Sequence, residues 1–290
     1  MLNTYIVEGG IGKCVAFSAI IDALVERDGG PIQVHTPYHE VFGGNPNVKW
    51  VFDGNSVPFN EERIVASDNI HYCEPYKSNF IKGHEHLIQS YCKLLGVKYS
   101  KKMRPKLYTE HAKEQADELF EKAEITGKYI VVQFTGGQPP VGYNPQNPYM
   151  SGDPGRNYPH WMAQQVVNLL KQKYPDYTII HFGLPNEPRY EGTLMLDANF
   201  PMWHEIVKGA EGFVGIDSSL QHMAASAGTT GVVIWGSTRF NQFGYPENTN
   251  VNFHMEDTWD ETKFNGADPR NAMVDPAKVV QLYTERKEND

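Results

Sequence analysis

The sequence predicts an α/β protein of two Rossmann-like halves facing a central cleft. Three observations carry that prediction. Short apolar runs alternate with segments of helical period along the chain. A glycine-rich turn joins the first run to the first helix. The same rhythm restarts after a junction near Lys122 to Lys128. The length of 290 residues accommodates two modest domains. They are expected at 1–124 and 125–274, with 275–290 a terminal helix packing back on the N-terminal domain.

In the first half, Tyr5-Ile6-Val7 reads as a strand. A helix from about Val15 to Glu26 follows, with Val15, Ala16, Ala19, Ile20, Ala23 and Leu24 as its buried stripe. Gly29-Gly30-Pro31 stops it, and Ile32 to His35 is a second strand. A helix from about His84 ends near Leu95, where Gly96 suits a left-handed cap. Another helix runs from His111 to about Lys122.

The second half opens with a buried strand at Tyr129 to Phe134, then a long Gly-, Pro- and Asn-rich loop up to Tyr158. Trp161 to Lys173 is helical, Tyr177 to Phe182 is a strand closed by Gly183, and Met202 to Gly209 is a short helix. A strand at Phe213 to Ile216, a helix at Ser219 to Ala227 and a strand at Val232 to Trp235 complete the pattern. Asp275-Pro276 supplies an N-cap and first helical residue for a terminal helix through Tyr283.

Composition excludes several classes. Hydrophobic residues are 40% and charged residues 21%, so global disorder is excluded. A net charge of −9 argues against a surface that coats nucleic acid or membrane as a whole. The three cysteines are an odd number in a chain able to build its own core, so a reducing, cytoplasmic setting is expected. Leu2 to Val7 is too short for a signal-peptide core, and no run approaches a membrane span. No integral membrane association is expected.

The loop Glu8-Gly9-Gly10-Ile11-Gly12-Lys13-Cys14 lies between a strand and a helix, where backbone N–H groups can hold an anion. A Walker A loop would need Gly at Val7 and Ser or Thr at Cys14; a thiol is a poor magnesium ligand. The ParA-like variant needs Lys at Glu8 and again Ser or Thr at Cys14. A dinucleotide fingerprint starting at Gly10 needs Gly or Ala at Val15. A tight turn without a ligand competes with all three.

The most specific segment is Phe213-Val214-Gly215-Ile216-Asp217-Ser218-Ser219-Leu220-Gln221-His222, running on through small residues to Gly228 and then to Val232 to Thr238. A strand delivers Asp217, and hydroxyl residues open a helix whose N–H groups and dipole favour a diphosphate. His222 sits one turn in; its alternative role is a packed helix-face histidine. Asp217 could equally act only as a helix cap.

This segment resembles the heptosyltransferases, glycosyltransferase family nine, whose matching stretch runs strand, Asp-Thr-Gly-Leu-Ser-His, small-residue helix, strand, Gly-Pro-Thr. The resemblance also takes in the first glycine loop (Gly9, Gly10, Gly12), Thr135, Arg156 before Tyr158-Pro159-His160-Trp161, and Gly183 with Glu187. It implies a GT-B fold with the donor in the C-terminal domain, an inverting reaction and no metal or other cofactor. It assigns Thr135, Arg156, Glu187, Ser218, Ser219 and His222 to the nucleotide-diphosphate-sugar donor, and Lys13 and Asp217 to the catalytic centre. The family places an Asp, its general base, where this chain has Lys13. A lysine is charged at neutral pH and cannot accept a proton. Either Lys13 plays another part, such as holding a phosphate of donor or acceptor, or another group is the base; Glu8 is the nearest carboxylate in sequence.

Two other functions stay open: a P-loop ATPase using Gly9 to Cys14, and a nucleotide-sugar binding module without catalysis. His71, Cys73, His84, His86 and Cys92 lack the tight paired spacing of a zinc site. From Lys77 to Lys106 the chain carries eight cations and one carboxylate, Glu85, with Tyr72, Tyr76, Phe80 and Tyr91 interleaved or adjacent. That run is either a solvated face or the mark of an anionic acceptor, such as a lipopolysaccharide core or a modified DNA base. The expected partners are thus a nucleotide sugar and a hydroxyl acceptor.

Overall fold

The computed structural model describes residues 2–53, 67–76, 80, 82–83, 85–136, 156–183, 187–252 and 273–289. The first half is a four-stranded, fully parallel sheet in the order β3-β2-β1-β4, with β1 at Asn3–Ile6, β2 at Ile32–Thr36, β3 at Val48–Asp53 and β4 at Asn69–Tyr72. β1 is buried throughout, as a central parallel strand must be.

The expected first helix divides into α1 (Ile11–Ser18) and α2 (Ile21–Asp28). Ser18 causes the break. Its hydroxyl donates back to the Val15 carbonyl (2.7 Å) and accepts from the Lys106 N–H (2.9 Å). Ala19 and Ile20 then bond to carbonyls only three residues back, which tightens the turn. Gly29, at φ 73°, ends α2 in the left-handed conformation.

Helix α3 spans Leu87–Leu94 and is capped by His86, whose Nδ1 accepts the Ile88 N–H. His84, the expected start, lies outside the described residues. A short 3-10 turn leads into α4 (Lys113–Lys122).

The second half contains β5 (Tyr129–Gln133), α5 (His160–Lys173), β6 (Thr178–His181), β7 (Leu194–Met195), α6 (Phe200–Lys208), β8 (Phe213–Ile216), α7 (Ser219–Ala227), β9 (Gly231–Ile234), α8 (Phe240–Phe243), β10 (Thr249–Val251) and α9 (Pro276–Asn289). Its sheet is parallel throughout, in the order β10-β9-β8-β5-β6-β7. Counted from β5, that is the Rossmann order, and the first sheet is its four-stranded version. The chain changes direction across each sheet between β1 and β4, and again between β5 and β8. Ligands of open parallel sheets bind at the carboxyl ends of such neighbouring strands.

Strands β3, β4, β7 and β10 were not legible as strands in the sequence, and all four lie at sheet edges. Trp50, Ile70 and Tyr72 on β3 and β4 are exposed, so no apolar run marks them.

Two apolar cores flank the second sheet, and β5 divides its residues between them. Tyr129 and Val131 face one core, which continues through α6 and α7 into the first half. Ile130 and Val132 face the other, against α5 and α9. That division is the period-two alternation of a strand.

The terminal helix corrects one expectation. α9 packs chiefly on α5, β9 and β10, burying Val279, Val280 and Tyr283 in the second half's own core. It therefore closes the C-terminal domain instead of reaching back to the first. Among the described residues no helix is long and apolar enough to cross a membrane.

Gly231 begins β9, where an added Cβ would collide with the Phe213 carbonyl on β8. Because the obstacle is backbone, relief requires the strands to separate. Gly231→Ala should lower stability by about 1–3 kcal/mol, seen as a lower urea midpoint with an unchanged slope.

Candidate functional site

On the C-terminal side, the ends of β5 and β8 bring the predicted donor residues together. Thr135 and Gly136 follow β5, while Asp217 and Ser218 follow β8. An added Cβ on Gly136 would lie 2.6 Å from Ser218 Oγ, so the end of β5 and the start of α7 approach closely because position 136 has no side chain. Ser218 is the N-cap of α7 in extended conformation, yet its hydroxyl makes no capping bond. Ser219, the first helical residue, is half-buried. The Leu220 N–H is already taken by Gln133 Oε1 at 3.2 Å.

Two further polar groups lie at this junction. Thr135 Oγ1 and Arg156 Nε are buried without a hydrogen-bond partner among the described residues. Such atoms lose several kcal/mol of hydration unless something else satisfies them.

The electrostatics link Arg156 to its neighbours. Burial pushes the Asp217 carboxyl above the ordinary carboxylate range, against the pull of the Arg156 charge, the Thr238 hydroxyl and the Gln221 amide. Gln221 Nε2 donates to Asp217 Oδ1 at 2.7 Å. Burial, helped by the Arg156 charge, pushes His222 down to about 3, so its ring is neutral at ordinary pH. Asp217 therefore has a structural partner on α7, but it also shares a field with a guanidinium.

His222 stands where the two halves meet. Its Nδ1 is 2.8 Å from the Tyr245 hydroxyl, and its ring edge lies 3.0 Å from the position a Gly12 Cβ would occupy. Glycine at position 12 is what permits α1 and α7 to approach so closely. His222 is thus buried at the seam, packed as a helix-face residue and facing the glycine loop.

The glycine loop itself curls under Lys13. Gly9 has φ 96°, and a side chain there would meet the Lys13 methylene and ammonium groups. Gly10 caps α1 in extended conformation, with its carbonyl 2.9 Å from the Lys13 N–H. Lys13 Nζ donates to Glu74 Oε2 at 2.9 Å and lies 4.3 Å from the Tyr76 ring centroid. Cys14 turns inward, with its thiol near Thr36 Oγ1 at 3.3 Å, and burial pushes it up to about 11. It cannot hold a magnesium ion in that position, which counts against the P-loop reading.

Glu74 was missed as a site residue by sequence reasoning, and Tyr76 was marked only as one of the aromatics of the basic run. Both follow β4, at the switch point of the first sheet, and β4 itself carries little sequence signal. Burial and then the Asp217 charge raise the Tyr76 phenol, while Arg156 opposes them. Tyr76 from the first half therefore faces the Asp217 and Arg156 side of the cleft.

Glu187 lies one strand further out, after β6. Its Oε2 is 2.7 Å from where a Gly183 Cβ would be, and His181 Nε2 is 2.9 Å from the same point. Glu187 occupies the same row of strand ends as Thr135, beside the buried His181, which the sequence did not mark.

The basic run is half neutralised. Lys93 pairs with Glu85, Lys106 with Asp22, and Arg104 with Glu247 across the two halves. Lys98, Lys101 and Lys102 are exposed, whereas Phe80 and Tyr91 are buried. Lys77 lies outside the described residues. Among the described residues no three His, Cys, Asp or Glu side chains gather as metal ligands.

Two Rossmann sheets, each presenting its switch point to a shared cleft, define the GT-B architecture. Among solved structures, the chain is similar to the glycosyl transferase family 9 protein of Veillonella parvula DSM 2008, with TM-score 0.72 and 12% identity over 100% of this chain and 98% of that one. It is similar to the E. coli ADP-heptose lps heptosyltransferase II, with TM-score 0.68 and 12% identity over 100% and 99%. TibC of enterotoxigenic E. coli, a dodecameric iron-containing heptosyltransferase solved with ADP-D-beta-D-heptose, gives TM-score 0.64 and 15% identity over 99% and 77%. No protein-family model and no curated protein matches the sequence. The fold of this chain is the one those heptosyltransferases adopt.

Four buried histidines set an acid limit. Burial pushes His86, His181 and His204 down to about 4 and His222 to about 3. Unfolded histidine titrates near about 6.5. Above about pH 7 both states are neutral and the groups have no effect. As pH falls below about 6.5 the unfolded chain gains protons that the native state refuses, so stability declines towards pH 4. Melting temperatures between pH 7.5 and 4.5 should show this decline. It should be shallower in His204→Gln, and a level profile for the wild type would contradict it.

Proposed function

We propose that the protein is a glycosyltransferase that moves a sugar from a nucleotide-diphosphate donor to a hydroxyl acceptor. The observation that carries this reading is the cluster of unsatisfied groups at the β5–β8 junction: Thr135 Oγ1, Arg156 Nε and the uncapped start of α7. The heptosyltransferase fold supports it, since the structural neighbours described above include one holding ADP-heptose.

In this reading, residues 125–274 bind the donor and residues 1–124 the acceptor. The diphosphate lies at the β5–β8 junction, against Ser218, Ser219 and the α7 dipole, with Arg156 on its flank. Arginine and a helix N-terminus stabilise the charge that develops as the nucleoside diphosphate departs, so no metal is required for that task. Asp217 accepts a hydroxyl of the donor sugar, and Glu187 with His181 faces the nucleoside. His222, neutral and held by Tyr245, packs the seam beneath the reacting centre. Attack from the opposite, N-terminal wall is a single displacement and inverts the anomeric carbon. The exposed Lys98, Lys101 and Lys102 suit an anionic acceptor, a phosphorylated saccharide in preference to a neutral one.

Calorimetric titration of ADP, UDP and GDP in the presence of EDTA tests the donor site. One of them should bind, Arg156→Ala should weaken it about 10- to 100-fold, and Gly136→Val should abolish it by displacing Ser218 from the end of β5. Binding that needs a divalent ion, or that is indifferent to both changes, would refute the assignment.

A further inference from the structure

The N-terminal wall of the cleft carries a second carboxylate, outside the glycine loop and in contact with Lys13. Glu74 is the second residue after β4, and β4 pairs with β1, the strand that leads into Gly9 to Lys13. Sequence distance therefore conceals a spatial neighbour: 61 residues separate Lys13 from Glu74, yet their side chains are 2.9 Å apart.

The two members of the pair are not equivalent. The Lys13 side chain is 8% exposed and Glu74 is 44% exposed, so an arriving molecule meets the carboxylate and not the ammonium. Lys13 is enclosed by the Gly9 turn beneath it and the Tyr76 ring beside it. Glu74 is oriented at both oxygens: Oε2 accepts from Lys13, and Oε1 accepts from the Tyr76 N–H at 2.9 Å. Tyr76, two residues on, lies within the field of Asp217 and Arg156. Gly12, the residue before Lys13, also packs against His222 of α7, so Lys13 and its carboxylate partner stand across the seam from the helix that opens at Ser218.

We propose that Glu74 is the general base that activates the acceptor hydroxyl, and that Lys13 is a positioning residue which holds its carboxylate ionised and aimed into the cleft. This assignment rests on the glycosyl-transfer reading. In the step, the acceptor oxygen forms a bond to the anomeric carbon as its proton passes to Glu74. The bond from that carbon to the β-phosphate oxygen breaks, and its electron pair leaves with the nucleoside diphosphate held by Arg156. Glu74 later releases the proton to water. The position the glycine loop would give a base is filled by the group that orients one.

Release of ADP from ADP-D-β-D-heptose, with water or azide as acceptor, tests the proposal. Azide needs no deprotonation. Glu74→Gln and Glu74→Ala should lower hydrolytic kcat at least about 100-fold, with ADP affinity measured by calorimetry unchanged. Azide should restore turnover in Glu74→Ala. The acidic limb of the wild-type pH profile should vanish from the residual rate of Glu74→Gln. Lys13→Met should move that limb to higher pH, because the carboxylate has lost its cation. Hydrolysis by Glu74→Gln at the wild-type rate, or loss of ADP binding equal to that of Arg156→Ala, would overturn the proposal. Failure of the glycosyl-transfer reading is distinguishable, since it would already appear as absent nucleotide binding and turnover in the wild type.

Discussion

The parallel pairing of β5 with β8, Val131 with Phe213 through Gln133 with Gly215, is the constraint on which the remaining structure depends. It sets two strand ends side by side with no strand between them, so that residues 135 and 217, distant in sequence, become neighbours. The helix beginning at Ser218 then opens directly onto that junction. Gln133 reinforces the arrangement from within the strand, by receiving the Leu220 N–H. Every group assigned to the diphosphate takes its position from this register, and a slip by one residue would turn β5 inside out.

The first half repeats the device with less material. β1 and β4 also adjoin, and their ends carry Lys13 and Glu74. The two walls are chemically related: Lys13 is paired with Glu74 on one side, and Asp217 lies within the field of Arg156 on the other. On the first wall the cation is enclosed and the acid reaches solvent. On the second wall both Asp217 and Arg156 Nε are withdrawn from water. Such a difference suits one wall to receiving a proton and the other to receiving charge already formed.

How much was legible in the sequence follows from what each element buries. Central strands such as β5 and β8, buried on both faces, announce themselves as apolar runs. α7 was placed at its observed bounds because small residues, a serine cap and Gly228 mark it. Edge strands such as β4 are half exposed, and their mixed residues, Asn69-Ile70-His71-Tyr72, show no period. Glu74 was lost with β4, since a carboxylate after an unrecognised strand carries no signal. The donor residues were visible because they are contiguous or sit beside strong strands. The single first helix was a misreading of a different kind: the apolar stripe continues across Ser18, and only the tertiary bond from Lys106 reveals why the helix stops there. The terminal helix carried its own stripe but no indication of which sheet would receive it.

The seam between the halves has a mechanical consequence. Beyond the shared core, Asn241 donates to the Gly83 carbonyl, Gln242 to that of Phe80, His86 Nε2 meets the Gly244 carbonyl, and Arg104 grips Glu247. On another side, Thr109 bonds His204 and Glu205, and Ser226 receives the Leu107 N–H. Stitching at two separated places removes the freedom of one half to swing as a rigid body, because no single axis leaves both sets intact. Any widening of the cleft would then have to break one of these two sets of bonds.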